Sequence, residues 1–159
     1  MSKRVRIYEV GDMWSAWEES DLFLITTNGS FTADGKLVMG RGIARQGRDC
    51  FPGLDAALAK VLRVPARRYG LLVSPRWPEA KLGLFQVKLR YWDDATPELI
   101  RLSTEMLLEW LEEHPDVQVD LNFPGIGYGR LSPDVVRPII EVLPSSVHIW
   151  QKGVEARNG

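Results

Sequence analysis

Two glycine-spaced stretches, Met39-Gly40-Arg41-Gly42-Ile43-Ala44 and Pro124-Gly125-Ile126-Gly127-Tyr128-Gly129, each follow an apolar run. Glycines there allow positive φ and close backbone approach, and their free N–H groups ahead of a helix make a nest for an anion. Neither stretch is a Walker loop, since no Gly-Lys-Ser/Thr follows, and neither has the full G-x-G-x-x-G spacing. Taken alone, each is either a phosphate cradle or a tight strand-to-helix turn. If the two meet in space, they could hold the two halves of a diphosphate. Three polar side chains sit near other apolar runs. Asp12 follows VRIYEV and is either a helix N-cap or an acceptor for a ligand. Asn28 ends DLFLITT and either shapes an Asn-Gly turn or faces a site. Lys88 lies in LGLFQVKL, as a solvent-facing alternate or as an amine at a site edge.

Elements that would position these residues alternate along the chain. Strands are expected at 5–10, 21–27, 68–75, 82–89, 117–123 and 146–150, from period-two alternation or continuous apolar runs. A short helix is expected over 13–19, another starting near Ile43, and a third over 54–62. Thr96-Pro97-Glu98 opens the clearest helix, with Thr96 as N-cap and Pro97 at the first helical position. Its apolar stripe is Leu99, Leu102, Met106 and Trp110, widened by Leu107 and Leu111. Ser132-Pro133-Asp134 repeats the signal and opens a helix to about Leu143, with Pro138 as a kink. The segment 29–36 reads as loop and the tail 151–159 as frayed. This alternation predicts an α/β fold: a three-layer α/β/α sandwich with a mixed, mostly parallel central sheet. The carboxyl ends of such strands are where ligands bind, and three features fall there: Gly11-Asp12, Asn28 with MGRGIA, and PGIGYG.

The totals narrow the class. The chain has 159 residues, which suits one domain (1–159, with a core of about 5–150). Hydrophobic residues make up 45% and charged residues 26%, as in ordinary globular proteins, and the net charge of −1 gives no long-range pull toward nucleic acid or membrane. The lone Cys50 excludes an internal disulfide, and with only His114 and His148 besides, no metal site is expected. No signal peptide or membrane span is read, so the expectation is a cytoplasmic, monomeric protein. The stretch RVPARRY (63–69) is locally basic; it is either a solvated loop or a source of phosphate contacts through Arg67 and Arg68.

Taken in order, these residues resemble a macro domain, the ADP-ribose-binding module, over about 5–150. Gly11-Asp12-Met13 resembles the adenine motif Gly-Asp-Ile, and LITTN (24–28) the strand ending in a ribose-binding Asn. MGRGIA resembles the first phosphate loop of a branch that reads Met-Gly-Lys-Gly-Ile-Ala. FQVKLRYW (85–92) is similar to its Phe-Pro-Thr-Lys segment with a downstream Trp, and FPGIGYG (123–129) to the second phosphate loop. That branch includes glycohydrolases that remove ADP-ribose from DNA bases or from acidic protein side chains. The resemblance implies that Asp12 accepts from the adenine amino group and that the Met13 N–H helps read the ring. Asn28 would bind hydroxyls of the distal ribose. Gly40, Arg41, Gly42 and Ile43 would flank that ribose and the diphosphate, and Gly125, Ile126, Gly127, Tyr128 and Gly129 would wrap the diphosphate. Lys88 would be the catalytic lysine, with Asn28 beside it at the reacting sugar. A partly desolvated lysine has a lowered pKa and serves as nucleophile or proton shuttle. ADP-ribose, free or on DNA or protein, is thus the implied partner, with no cofactor. Two departures stand out: residues 29–38 are longer than usual in that branch, and Arg130-Leu131 stand where some members carry a catalytic Asp.

Overall fold

A computed structural model describes residues 8–152. Six strands form one sheet in the order β1-β6-β5-β2-β4-β3. They are β1 (Glu9–Val10), β2 (Leu22–Thr27), β3 (Leu71–Leu72), β4 (Leu82–Gln86), β5 (Val119–Asn122) and β6 (Val147–Gln151). Every neighbouring pair is parallel except β3 with β4. Helices α1 (Gly42–Cys50) and α2 (Leu54–Leu62) cover one face, and α3 (Pro97–Glu113) and α4 (Pro133–Ile140) the other. Two cores result. Phe23, Ile25, Leu84, Met39 and Leu58 pack on the first side. Leu24, Phe85, Leu121, Ile100, Leu107 and Ile140 pack on the second. The three-layer sandwich and its mostly parallel sheet are as the sequence predicts.

Both sheet faces are covered, so the central strands read as continuous apolar runs and leave polar residues to be buried in pairs. Asp120 is fully buried in β5, where it accepts from the Trp150 indole (2.8 Å) and the Gln118 amide (3.1 Å). The helix starts follow their signals: Thr96 Oγ1 accepts from the Leu99 N–H, and Ser132 Oγ from that of Asp134. α4 ends at Ile140, earlier than the expected Leu143, and carries Pro138 inside it.

Several expectations are corrected. The helix after Asp12 is one 3-10 turn, Met13–Ala16. The strand expected over 68–75 pairs only at Leu71–Leu72. β4 stops at Gln86, so Lys88 lies beyond the strand and is not an alternate within it. In α3 the buried side is Leu99, Ile100, Ser103, Thr104, Leu107 and Leu111, whereas Leu102, Met106 and Trp110 are half-buried toward the short edge strand β3. Gln151, expected to fray, pairs in β6, and its carbonyl accepts from the Gly11 N–H. Residues 5–7 of the first expected strand and 153–159 of the tail lie outside the described residues.

Candidate functional site

β2 and β5 are neighbours whose outgoing connections part to opposite faces, β2 into α1 and β5 into α4. Such a switch point opens a crevice at the carboxyl ends of the strands. The two glycine stretches flank it. They meet: a Cβ built on Gly42 would lie 3.5 Å from Tyr128 Cδ2, and the Arg41 guanidinium lies 5.3 Å from the Tyr128 ring centroid.

The glycines divide by what requires them. Gly125 (φ +80°) is packed so closely that a Cβ would come within 2.6 Å of Ile100 Cδ1, and one on Gly129 within 2.9 Å of Ala95 Cβ. Gly42 (φ +57°) and Gly127 (φ +67°) hold positive φ, which disfavours a side chain. Gly40 needs neither conformational freedom nor packing space, since a Cβ there would meet nothing within 4 Å. Its missing side chain keeps the surface of the loop open. At the start of α1, Arg41 makes no side-chain cap, unlike Thr96 and Ser132 on α3 and α4. The first-turn N–H groups and the dipole of α1 therefore face the crevice without a capping oxygen.

Asn28 is 8% exposed at the end of β2. Its Oδ1 accepts from the Ser30 N–H (2.8 Å), and its Nδ2 donates to the Val38 carbonyl (3.2 Å). The second amide hydrogen is left for another acceptor. Segment 29–38 is closed by further bonds. Phe31 bridges Leu37, the Thr32 N–H donates to Lys36, and the Val38 N–H donates to Ser30. Residues 29–38 thus form a closed hairpin whose stem returns Val38 to Asn28, so the segment leaves the start of MGRGIA beside the end of β2. Tyr69, buried, donates to the Asn28 carbonyl (2.7 Å) and pairs with Thr27 Oγ1 (2.6 Å). Burial pushes its phenol pKa up.

Lys88 is half-buried just past β4. Its pKa is lowered, first by desolvation and then by the Arg130 and Arg41 charges, against an opposing pull from Asp93 and Asp94. Among the described residues no carboxylate forms an ion pair with it; Arg130 instead pairs with Asp94 at 3.4 Å. The Lys88 backbone is held by Gln86. This fully buried amide accepts from the Tyr69 and Gly70 N–H groups (both 2.8 Å) and donates to the Arg67 (2.8 Å) and Lys88 (3.3 Å) carbonyls. A polar amide inside the apolar run LGLFQV was the signal for it. Gln86→Leu leaves buried N–H groups unpaired and is expected to cost about 3 kcal/mol in urea unfolding. A loss below about 0.5 kcal/mol would show that the network does not hold this corner.

At the far side, Asp12 is exposed and accepts from the Trp14 N–H (3.0 Å), so one oxygen caps the 3-10 turn. The Met13 side chain is buried in the first core. Ile43 and Ile126 are half-buried. Beyond Lys88, Tyr91 (53% exposed) and Trp92 (64%) meet edge to face at 5.0 Å, with Arg90 over Trp92. Arg67, from the basic stretch, is exposed and donates to the Leu62 carbonyl (3.1 Å). Among the described residues, no helix is long and apolar enough to cross a membrane, and no cluster of His, Cys, Asp and Glu forms a metal group.

Solved structures share this architecture. The macrodomain of Mycobacterium tuberculosis DarG superposes with a TM-score of 0.67 at 20% identity, covering 92% of this chain and 97% of that one. The macrodomain of Thermus aquaticus DarG gives 0.62 at 19% identity over 92% and 97%. Thermosipho africanus DarTG, solved in complex with ADP-ribose, gives 0.66 at 18% identity and covers 95% of this chain. This chain spans only 43% of that one. No protein-family profile and no curated protein matches the sequence. At such identities the likeness is one of fold, and the chain has the macrodomain fold.

Proposed function

We propose that the protein binds ADP-ribose across the carboxyl edge of its sheet and hydrolyses an ADP-ribosyl linkage to a macromolecule. The order of residues along that edge carries this reading. Asp12 and Met13 follow β1, PGIGYG follows β5, Asn28 and MGRGIA follow β2, and Lys88 follows β4. Read from β1 to β4, this is adenine, diphosphate, then distal ribose and reacting bond. Four strand spacings separate the ends, roughly 19 Å. That suits a nucleoside diphosphate carrying a second sugar. The uncapped start of α1, Arg41 and the open loop over Gly40 and Gly127 meet the diphosphate. Lys88, with its lowered pKa, attacks the anomeric carbon as the bond to the base or carboxylate breaks, and water then displaces the amine to release ADP-ribose. Alternatively, it carries the proton between the attacking water and the leaving group.

Of the two linkage types, DNA is favoured by the exposed Tyr91-Trp92 pair and Arg90 next to Lys88. Flat rings with a cation beside them stack on unpaired bases. Trp92→Ala is accordingly expected to lower release from ADP-ribosylated single-stranded DNA about tenfold and leave ADP-ribose affinity unchanged. Equal losses on DNA and on an ADP-ribosylated acidic peptide would remove that preference.

A second reading is a reader that binds without turnover. That no carboxylate among the described residues forms an ion pair with Lys88, and that Arg130 follows the second loop, favour it. Incubation of the protein with ADP-ribosylated DNA and with ADP-ribosylated acidic peptide separates the two. Release from either supports the hydrolase, and binding with no release supports the reader. Phosphate release from ADP-ribose 1″-phosphate would instead make the protein a phosphatase.

A further inference from the structure

A second concave site lies at the other end of α3. This helix starts at the crevice, where the Thr96 N–H donates to the Val87 carbonyl, and runs 17 residues, about 25 Å, toward the opposite edge of the sheet. There a cavity of about 500 Å³ opens between the segment after β3 and the last turns of α3. Its walls include Trp77, Trp110, His114, Met106, Glu109 and Glu113. Trp110 and His114 stack at 4.0 Å and 15°. Trp77 stands nearly perpendicular to both, at 5.1 Å from each. The Trp77 indole N–H donates to the Asp21 carbonyl (3.0 Å), and His114 Nδ1 is bonded to the Trp110 carbonyl (2.8 Å), so the rings are fixed before any ligand arrives.

The charge here is one-sided. Glu109 and Glu113 are exposed, four residues apart on the same helix face, and neither has an ion-pair partner among the described residues. The last turn of α3 holds no basic residue. Like charges at i and i+4 destabilise a helix, and acids at its C-terminus oppose the macrodipole. Among the described residues lining the cavity there is no Lys or Arg to offset this. A cation from outside resolves both penalties, and indole faces are the best aromatic partners for one.

We propose that this cavity binds the guanidinium group of an arginine side chain presented by a partner polypeptide. Guanidinium is favoured over a quaternary ammonium because two carboxylates on adjacent helical turns accept from its planar fork, and its flat face stacks on indole. A methylated ammonium would leave those acceptors without donors. The site is independent of the crevice, so its failure would leave the ADP-ribose reading untouched.

The test is a titration of the ¹⁵N-labelled full chain with an acetylated, amidated Gly-Arg-Gly peptide, following the indole N–H signals of Trp77 and Trp110. Saturable shifts at both are expected, with affinity at least about tenfold weaker for the neutral citrulline peptide and for the Glu109→Gln/Glu113→Gln protein. These exposed changes leave the core intact, and unchanged remaining amide signals would confirm it. No saturable shift, or equal affinity for the citrulline peptide, would overturn the proposal. Tighter binding of a trimethyllysine peptide would overturn the guanidinium assignment.

Discussion

Lys88→Ala is expected to lower the release of ADP-ribose from ADP-ribosylated DNA by about 10²-fold or more, with ADP-ribose affinity changed by less than about threefold. Lys88 stands at the β4 end of the crevice, where the linkage would be cut; Arg41 from one loop and Arg130 just after the other are near enough to act on its charge. With the neutral amine as the reacting form, the rate rises with pH through the depressed pKa of Lys88 and levels off below 10.5, its ordinary value. The stability sign agrees. Between the folded pKa and 10.5 the unfolded chain binds more protons, so stability rises with pH across that window. Below the window the charged, partly desolvated amine is a burden on the fold. Lys88→Met should therefore have a Tm at or above that of the parent protein while losing turnover. A Lys88→Ala protein that releases ADP-ribose at the parent rate would take the lysine out of the chemistry.

Gly125→Ala is expected to be the most damaging single change in the two loops, destabilising by about 3 kcal/mol. Its φ of +80° disfavours any side chain, and the new methyl would also press on Ile100 Cδ1 at 2.6 Å and Leu131 Cδ1 at 3.2 Å. Ile100 is fully buried, so it has little room to move. Gly127→Ala is the control. It has a similar φ of +67° but open space around the added atom, so the expected loss is only about 1 kcal/mol. Its larger effect falls on ADP-ribose, whose diphosphate would meet the methyl at the exposed crest. Urea unfolding of both variants with calorimetry on Gly127→Ala checks the pair. Equal destabilisation would mean that packing beneath the loop does not distinguish them.

Much of this was legible in the residues, and the reasons differ by element. Thr96-Pro97 and Ser132-Pro133 mark helix starts because cap and first-turn chemistry is local. The range of α2, 54–62, was readable from its helix-forming stretch after the Phe51-Pro52-Gly53 break. Strand lengths were not legible. Pairing is decided by neighbours distant in sequence, so 68–75 reduces to Leu71–Leu72 at an edge and β4 yields Lys88 to a loop. The burial of Asp120 and Gln86 was hidden likewise, because each is satisfied by partners from other segments. In the site, the residue types and their order were readable. That Gly42 touches Tyr128, that the 29–38 hairpin returns to Asn28, and that Arg41 and Arg130 bear on Lys88 required the folded chain.

The most direct measurement is a calorimetric titration of the full chain with ADP-ribose. One-to-one binding in the micromolar range is expected, weakened at least about tenfold by Gly127→Ala at one wall of the crevice and unchanged by Glu109→Gln on the far end of α3. No heat of binding with ADP-ribose at about 1 mM, or binding indifferent to Gly127→Ala, would contradict a ligand lying across the carboxyl edge of this sheet.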